Sequence, residues 1–145
     1  MVDILHRVGI QSSPETVYRA LTTHDGLTGW WTEDVRGEAG DAPHFQFGER
    51  GFFDMKVLEA EPGRRVLWQV TDGPGEWIGT KIAWDLRQEN GYTIVLFKHE
   101  GWKTPVEFMH HCSTKWAVFL VSLKALLETG KGAPYPHDVK IDDWN

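Results

Sequence analysis

The chain has 145 residues, enough for one domain with a core of its own. With 41% hydrophobic and 25% charged residues it is too apolar for a disordered chain. Fifteen Lys and Arg against 21 Asp and Glu leave a net charge of −6, which argues against nucleic acid or an anionic membrane as the main partner.

Val2, Ile4, Val8 and Ile10 alternate with polar neighbours and predict a strand over Val2–Ile10. Ser13-Pro14-Glu15 opens a helix with a capping hydroxyl, a proline at the first position and an acid in the first turn. Val17, Tyr18 and Leu21 form its apolar face, and Asp25-Gly26 is expected to interrupt it before a second short helix that ends at Trp30-Trp31. Gly37–Pro43 reads as a loop with no element of its own.

From His44 the pattern becomes a series of strands. Phe45–Phe47 ends at a hairpin-like Gly48-Glu49-Arg50-Gly51, and Phe53, Met55 and Val57 alternate up to Glu61-Pro62-Gly63. Val66, Trp68 and Val70 follow, then the break Asp72-Gly73-Pro74-Gly75. Thr80, Ile82, Trp84 and Leu86 alternate up to Glu89-Asn90-Gly91, and Val95, Phe97 and His99 up to Gly101. Short connections between consecutive strands predict an antiparallel meander.

Thr104-Pro105-Val106-Glu107 fits a capping box, and the helix it opens should run to about Thr129, with Gly130 as its stop. Met109, Cys112, Trp116, Phe119, Leu120, Leu123, Leu126 and Leu127 fall on one stripe of it, so this helix should cover one face of the sheet. Val118, Val121 and Ala125 form a small apolar strip on the other side. Residues 131–145 read as an extended tail of a single 1–145 domain, with Val139 and Ile141 pairing briefly.

Gly73-Pro74-Gly75-Glu76-Trp77-Ile78-Gly79 has one residue too many for a dinucleotide fingerprint and lies between strands. Gly130-Lys131-Gly132 lacks the Ser or Thr of a phosphate loop. His110, His111 and Cys112 look like metal ligands as a string, but neighbours on a helix diverge by about 100°. They are expected to hold no metal and to form no Cys–His nucleophile pair, and no cofactor is expected.

His99 shares a strand face with Val95 and Phe97. A titratable group there is either hydrogen-bonded within the core or exposed to a cavity, where it is the one candidate for catalysis. Of the eight tryptophans, Trp68 and Trp84 fall on inward strand faces, Trp116 on the helix stripe, Trp30 and Trp31 at the end of the second helix, and Trp77 and Trp102 at strand ends. They fill core volume, or they line a pocket: Trp30, Trp31, Trp68, Trp84, Phe97, His99, Trp116 and Phe119 are the candidate ligand-binding residues.

Four stretches carry a family resemblance. Gly26-Leu27-Thr28-Gly29-Trp30-Trp31 is similar to the "l..Ww" end of the short helices in the START-like (SRPBCC) superfamily, and residues 57–66, VLEAEPGRRV, to its "vlevdPp.RL" turn. Residues 93–102, TIVLFKHEGW, resemble its "T.vtl.H.Gw" strand, and residues 116–130, WAVFLVSLKALLETG, its "W...L..Lk..LE.G" helix. Together they look like the branch named for the C-terminal domain of the heat-shock-protein-90 ATPase activator. The resemblance implies an α+β helix-grip fold, a curved antiparallel sheet wrapped around a long C-terminal helix with a hydrophobic cavity between them. Members bind lipids, hormones or polyketides and some are cyclases, with no shared catalytic set to carry over.

The expected function is therefore binding of an apolar or aromatic small molecule. The rivals are a cyclase or lyase using His99 as acid or base, and a chaperone-associated interaction module. A homodimer is expected through the Val118, Val121 and Ala125 strip or the tail with Trp144. The opening MVDILHRVGI carries Asp3, His6 and Arg7 where a signal peptide needs an apolar run, and the longest apolar run, Trp116–Val121, is too short to span a membrane. With a single cysteine as well, no membrane insertion and a cytoplasmic location are expected.

Overall fold

Alternating apolar and polar residues build most of the sheet, and a computed structural model describes residues 1–145. In chain order the elements are β1 (Val2–Ile10), α1 (Pro14–Thr22), α2 (His24–Trp30), β2 (Asp34–Arg36), β3 (His44–Gln46), β4 (Phe52–Glu61), β5 (Arg65–Asp72), β6 (Lys81–Glu89), β7 (Tyr92–Trp102) and α3 (Glu107–Thr129). The strands form one antiparallel sheet in the order β1-β7-β6-β5-β4-β3-β2. Register shifts at Asp54/Met55 and Val57/Glu59 interrupt the β4–β5 ladder, and such bulges bend a strand. Val66, Trp68, Ile82, Trp84, Val95, Phe97 and His99 are buried on the inward face, against which α3 packs. This is the α+β helix-grip architecture.

Several local expectations are corrected. The break between α1 and α2 falls at Thr23, not at Asp25-Gly26. Thr23 ends α1 through its N–H to Arg19 O and starts α2 through its side chain, which accepts from the Gly26 N–H at 3.1 Å. Gly26 lies inside α2, and its missing side chain lets the two helices meet, since a Cβ there would stand 2.5 Å from the Ala20 Cα. A short edge strand, β2, precedes the loop, with only Val35 buried. Thr104 does not cap α3, whose cap position is Val106 with no side-chain bond. The Val106 N–H turns back to Thr104 O at 2.9 Å, so the helix starts after Pro105 instead of at it. Gly130, at φ 87°, closes α3 as expected.

The stripe on α3 is wider than its apolar residues. Lys115 and Ser122 are buried with Cys112, Trp116, Phe119, Leu120 and Leu123 because residues 131–145 fold back over the helix. Ser122 Oγ donates to Trp30 O and accepts from Ala133 N–H, each at 2.8 Å. Tyr135 bridges to Thr32 beside α2, its N–H donating to Trp31 O at 2.8 Å. Val139 and Ile141 form no strand pair. Val139 is exposed, and Ile141 N–H closes a local turn onto Asn145 O at 3.0 Å.

The two margins of the sheet differ in length, nine residues for β1 against three for β2. At the end of β1, Lys124 Nζ donates to Gly9 O at 2.5 Å while Glu128 accepts from Gln11 N–H at 2.7 Å.

Because α1 and α2 meet at Gly26 with no room for a side chain, Gly26→Ala should destabilise the protein by about 1–3 kcal/mol. Urea unfolding followed by tryptophan fluorescence will measure it, and an unchanged midpoint would show that α2 shifts freely.

Candidate functional site

Trp116 anchors the interior. Its ring centroid lies 4.6 Å from Phe97 on β7 and 5.1 Å from Trp31 at the end of α2. Its Nε1–H donates to His99 Nδ1 at 3.1 Å. Indole nitrogen is only a donor, so His99 Nδ1 carries the lone pair and Nε2 the proton. That proton goes to Thr80 Oγ1 at 2.8 Å, and Thr80 Oγ1–H goes to Trp77 O at 2.5 Å. A chain of three hydrogen bonds thus ties α3, β7 and the loop before β6 together. His99 is fully buried, and burial pushes its pKa down to about 3. It is neutral at physiological pH with both nitrogens occupied. This is the hydrogen-bonded core arrangement.

A second set of rings is nearly parallel. Trp31 lies 5.7 Å from Trp30 at 8°, 5.9 Å from Trp68 at 7° and 5.8 Å from Phe53 at 7°; Phe53 lies 4.0 Å from Trp77 at 11°. The half of this stack nearer the sheet centre is solid. Trp30, Trp68 and Trp84 have no exposed surface and interlock edge to face.

The outer half opens into a cavity of about 680 Å³. Phe47, Phe52 and Phe53 form its wall on the β3–β4 side, and Pro74 and Trp77 come from the β5–β6 loop. Phe108, Cys112, Lys115, Trp116 and Phe119 come from α3, and Trp31 from the end of α2. The tail closes the ring with Asp143, Trp144 and Asn145, while Arg50 and Glu76 stand exposed at the rim.

Of the eight residues expected to bind ligand, Trp31, Trp116 and Phe119 line this cavity. Trp30, Trp68, Trp84, Phe97 and His99 stand behind the wall and make it rigid. Trp77, Phe53 and Lys115 line it without having been expected. Trp77 sits in a glycine- and proline-rich break that reads as a turn. Lys115 was legible in principle, lying three residues after Cys112 and four before Phe119 on one helix side.

The His110-His111-Cys112 string diverges. His110 is exposed, whereas His111 Nδ1 pairs with Asp142 Oδ2 of the tail at 2.7 Å. The hydrogen bond from His111 holds the Asp142 carboxyl below the usual carboxylate range. Cys112 Sγ accepts from Trp77 Nε1–H at 3.4 Å, and burial pushes the thiol up to about 12, far from a thiolate nucleophile.

The depressed His99 pKa gives a signed pH dependence. The unfolded chain takes up a proton near pH 6.5 that the folded protein refuses until about pH 3. Stability from neutral His99 is complete above pH 6.5 and is lost as pH falls toward 3, at up to about 1.4 kcal/mol per pH unit. Guanidinium unfolding between pH 7 and 4 should show this slope in the wild type and a shallower one in His99→Gln; equal slopes would contradict the assignment.

Comparison with known proteins matches residues 11–128 to the family described as Activator of Hsp90 ATPase homolog 1-like protein. The solution structure of the Aha1 dimer from Colwellia psychrerythraea is 48% identical, covers 91% of this chain and 100% of that one, and superposes with a TM-score of 0.84. Two further structures share the fold. DynU16, from the dynemicin biosynthetic locus, is 22% identical over 92% of this chain and 49% of its own, with a TM-score of 0.79. CalU16 from Micromonospora echinospora is 18% identical over 97% of this chain and 74% of its own, with a TM-score of 0.78. No curated protein matches the chain. The matched span takes in the first three sequence motifs and nearly all of the fourth, and the chain belongs to the Activator of Hsp90 ATPase homolog 1-like family, a branch of the START-like (SRPBCC) superfamily.

Proposed function

We propose that the protein binds an apolar or aromatic small molecule in the cavity between the β3–β4 hairpin, the β5–β6 loop, α3 and the tail. The observation that carries this reading is the cavity of about 680 Å³ walled by the side chains of Trp31, Phe53, Trp77 and Trp116. Ligand pockets typically enclose about 300–1,000 Å³, mostly apolar, with a few polar groups. The close packing behind the wall favours the reading, because a preformed cavity with rigid sides asks little ordering of the protein when a ligand arrives. Burying roughly 200–300 Å² of ligand surface yields about 5–7 kcal/mol before association costs, so micromolar affinity is expected.

His99 does not favour the cyclase or lyase alternative, since it stands behind the wall with both nitrogens bonded. The name of the family supports a second reading, a chaperone-associated interaction module. The single, buried Cys112 fits a cytoplasmic setting, and no helix is long and apolar enough to cross a membrane.

A panel of naphthalene derivatives, flavonoids and fatty acids should change the tryptophan fluorescence and raise the melting temperature. Cys112→Leu, which extends a side chain into the cavity, should weaken binding at least about fivefold while the fold is retained by circular dichroism. A panel that leaves wild-type fluorescence and melting temperature unchanged would overturn the ligand reading in favour of the interaction module.

We also propose that the protein is a homodimer, like the 48%-identical Aha1 dimer from Colwellia psychrerythraea. Val121 is well exposed on α3 and offers an apolar contact, with Val118 and Ala125 half-buried beside it. Sedimentation equilibrium should give twice the chain mass, and Val121→Glu should shift it toward the monomer. A monomer mass at all concentrations would reject the dimer.

A further inference from the structure

Lys115 is the one ammonium group in the cavity wall, and it is 8% exposed. All of its hydrogen-bond acceptors belong to the tail. It pairs with the Asp138 carboxylate and donates to Val139 O at 2.9 Å and Asn145 O at 3.4 Å. From α3 itself it meets only the Phe119 ring, 5.1 Å away. Asp138 in turn has a side chain with no exposed surface, and Lys140 and Asn145, both on the tail, are its other partners.

The sheet and helices therefore contribute no counter-charge to this buried cation. The tail lends one. A buried ammonium left without a carboxylate is strongly unfavourable, so a ligand that displaces Asp138 while keeping Lys115 covered has to bring an anion of its own. The remaining charged groups around the cavity do not compete for the role. His111 is committed to Asp142, and Arg50, Glu76 and Asp143 are solvent-exposed.

We propose that Lys115 is the anion-recognition group of the cavity and that Asp138 occupies it in the absence of ligand, so that the ligand is an apolar or aromatic carboxylate that exchanges places with Asp138. The inference rests on the ligand-binding reading above and narrows it. In the closed form the ion pair is Lys115 with Asp138; in the liganded form it is Lys115 with the ligand, and Asp138 passes into water with Lys140 beside it. The number of buried ion pairs is the same in both forms. A neutral ligand offers no such exchange and must fit beneath the closed tail.

The test uses 2-naphthoate and its uncharged counterpart 2-naphthamide, titrated by tryptophan fluorescence into wild type, Asp138→Asn and Lys115→Met. Asp138→Asn removes the competing carboxylate and should tighten 2-naphthoate about tenfold while 2-naphthamide changes less than about twofold. Lys115→Met should abolish that selectivity. In the wild type, saturating 2-naphthoate should speed hydrogen exchange at the Ile141 and Asn145 amides, which are bonded within the tail, and 2-naphthamide should not. This second measurement decides the matter if Asp138→Asn fails to fold. Equal affinity of the two probes in Asp138→Asn, or unaltered tail exchange with 2-naphthoate bound, overturns the role of Lys115 but leaves the cavity reading standing. Failure of both probes to bind any of the three proteins overturns the role of Lys115, and the wider ligand panel then decides the cavity reading.

Discussion

The hydrogen bond from the Trp116 indole to His99 joins the long helix to the centre of the sheet, and the interior is arranged around it. An indole can only donate, so the bond requires a bare imidazole nitrogen facing it. That requirement fixes the proton on the other nitrogen, and the Thr80 hydroxyl passes the polarity on to the carbonyl of Trp77. Trp77 is thereby held against Phe53 and Trp116, which are cavity walls. Protonated His99 would turn a donor toward a donor in a site with no water-exposed surface. The histidine serves this protein by staying uncharged.

Packing and binding are separated within one aromatic population. Toward the sheet centre, Trp30, Trp68 and Trp84 meet at ring distances of 5.4–5.6 Å in edge-to-face contacts and leave no opening. Such contacts fill space in three directions. Toward the β3–β4 hairpin, Trp31, Phe53 and Trp77 lie almost parallel and leave a flat-sided space. The same residue types close the core at one end and shape a cavity at the other, and Trp31 belongs to both, stacking on Trp30 and Trp68 on the closed side and on Phe53 on the open one.

How much of this was legible in the sequence follows from the range of each interaction. The strands from Phe53 to Gly101 show in their alternation because each buries one face against one helix. The αL stop at Gly130 is visible for an equally local reason, the glycine's freedom at positive φ. Gly26 misleads because its smallness answers to Ala20 on the neighbouring helix, not to a turn. Strand β2 is too short to display a period. Helical spacing places Lys115 beside Cys112 and Phe119, but its burial also needs the cover of a tail that begins after α3 has ended, and that cover is not written in the helical pattern. For the site, the aromatic composition and the family motifs point to the face of α3 that borders the cavity, yet loop residue Trp77 and the division between wall and backing are set by tertiary packing alone.

The margins of the sheet carry a consequence for how the molecule behaves in a crowded solution. An uncovered strand is a template on which other chains can add, and a β-rich protein with eighteen aromatic residues would be vulnerable to it. Here a lysine and a glutamate from α3 sit over the end of the first strand, and the opposite margin is three residues long. Strand addition finds only a three-residue register at β2, and at β1 it meets the α3 side chains at one end and the exposed charges of Asp3 and Arg7 along the rest. Self-association is thus steered away from endless sheet extension and toward closed contacts between side-chain surfaces.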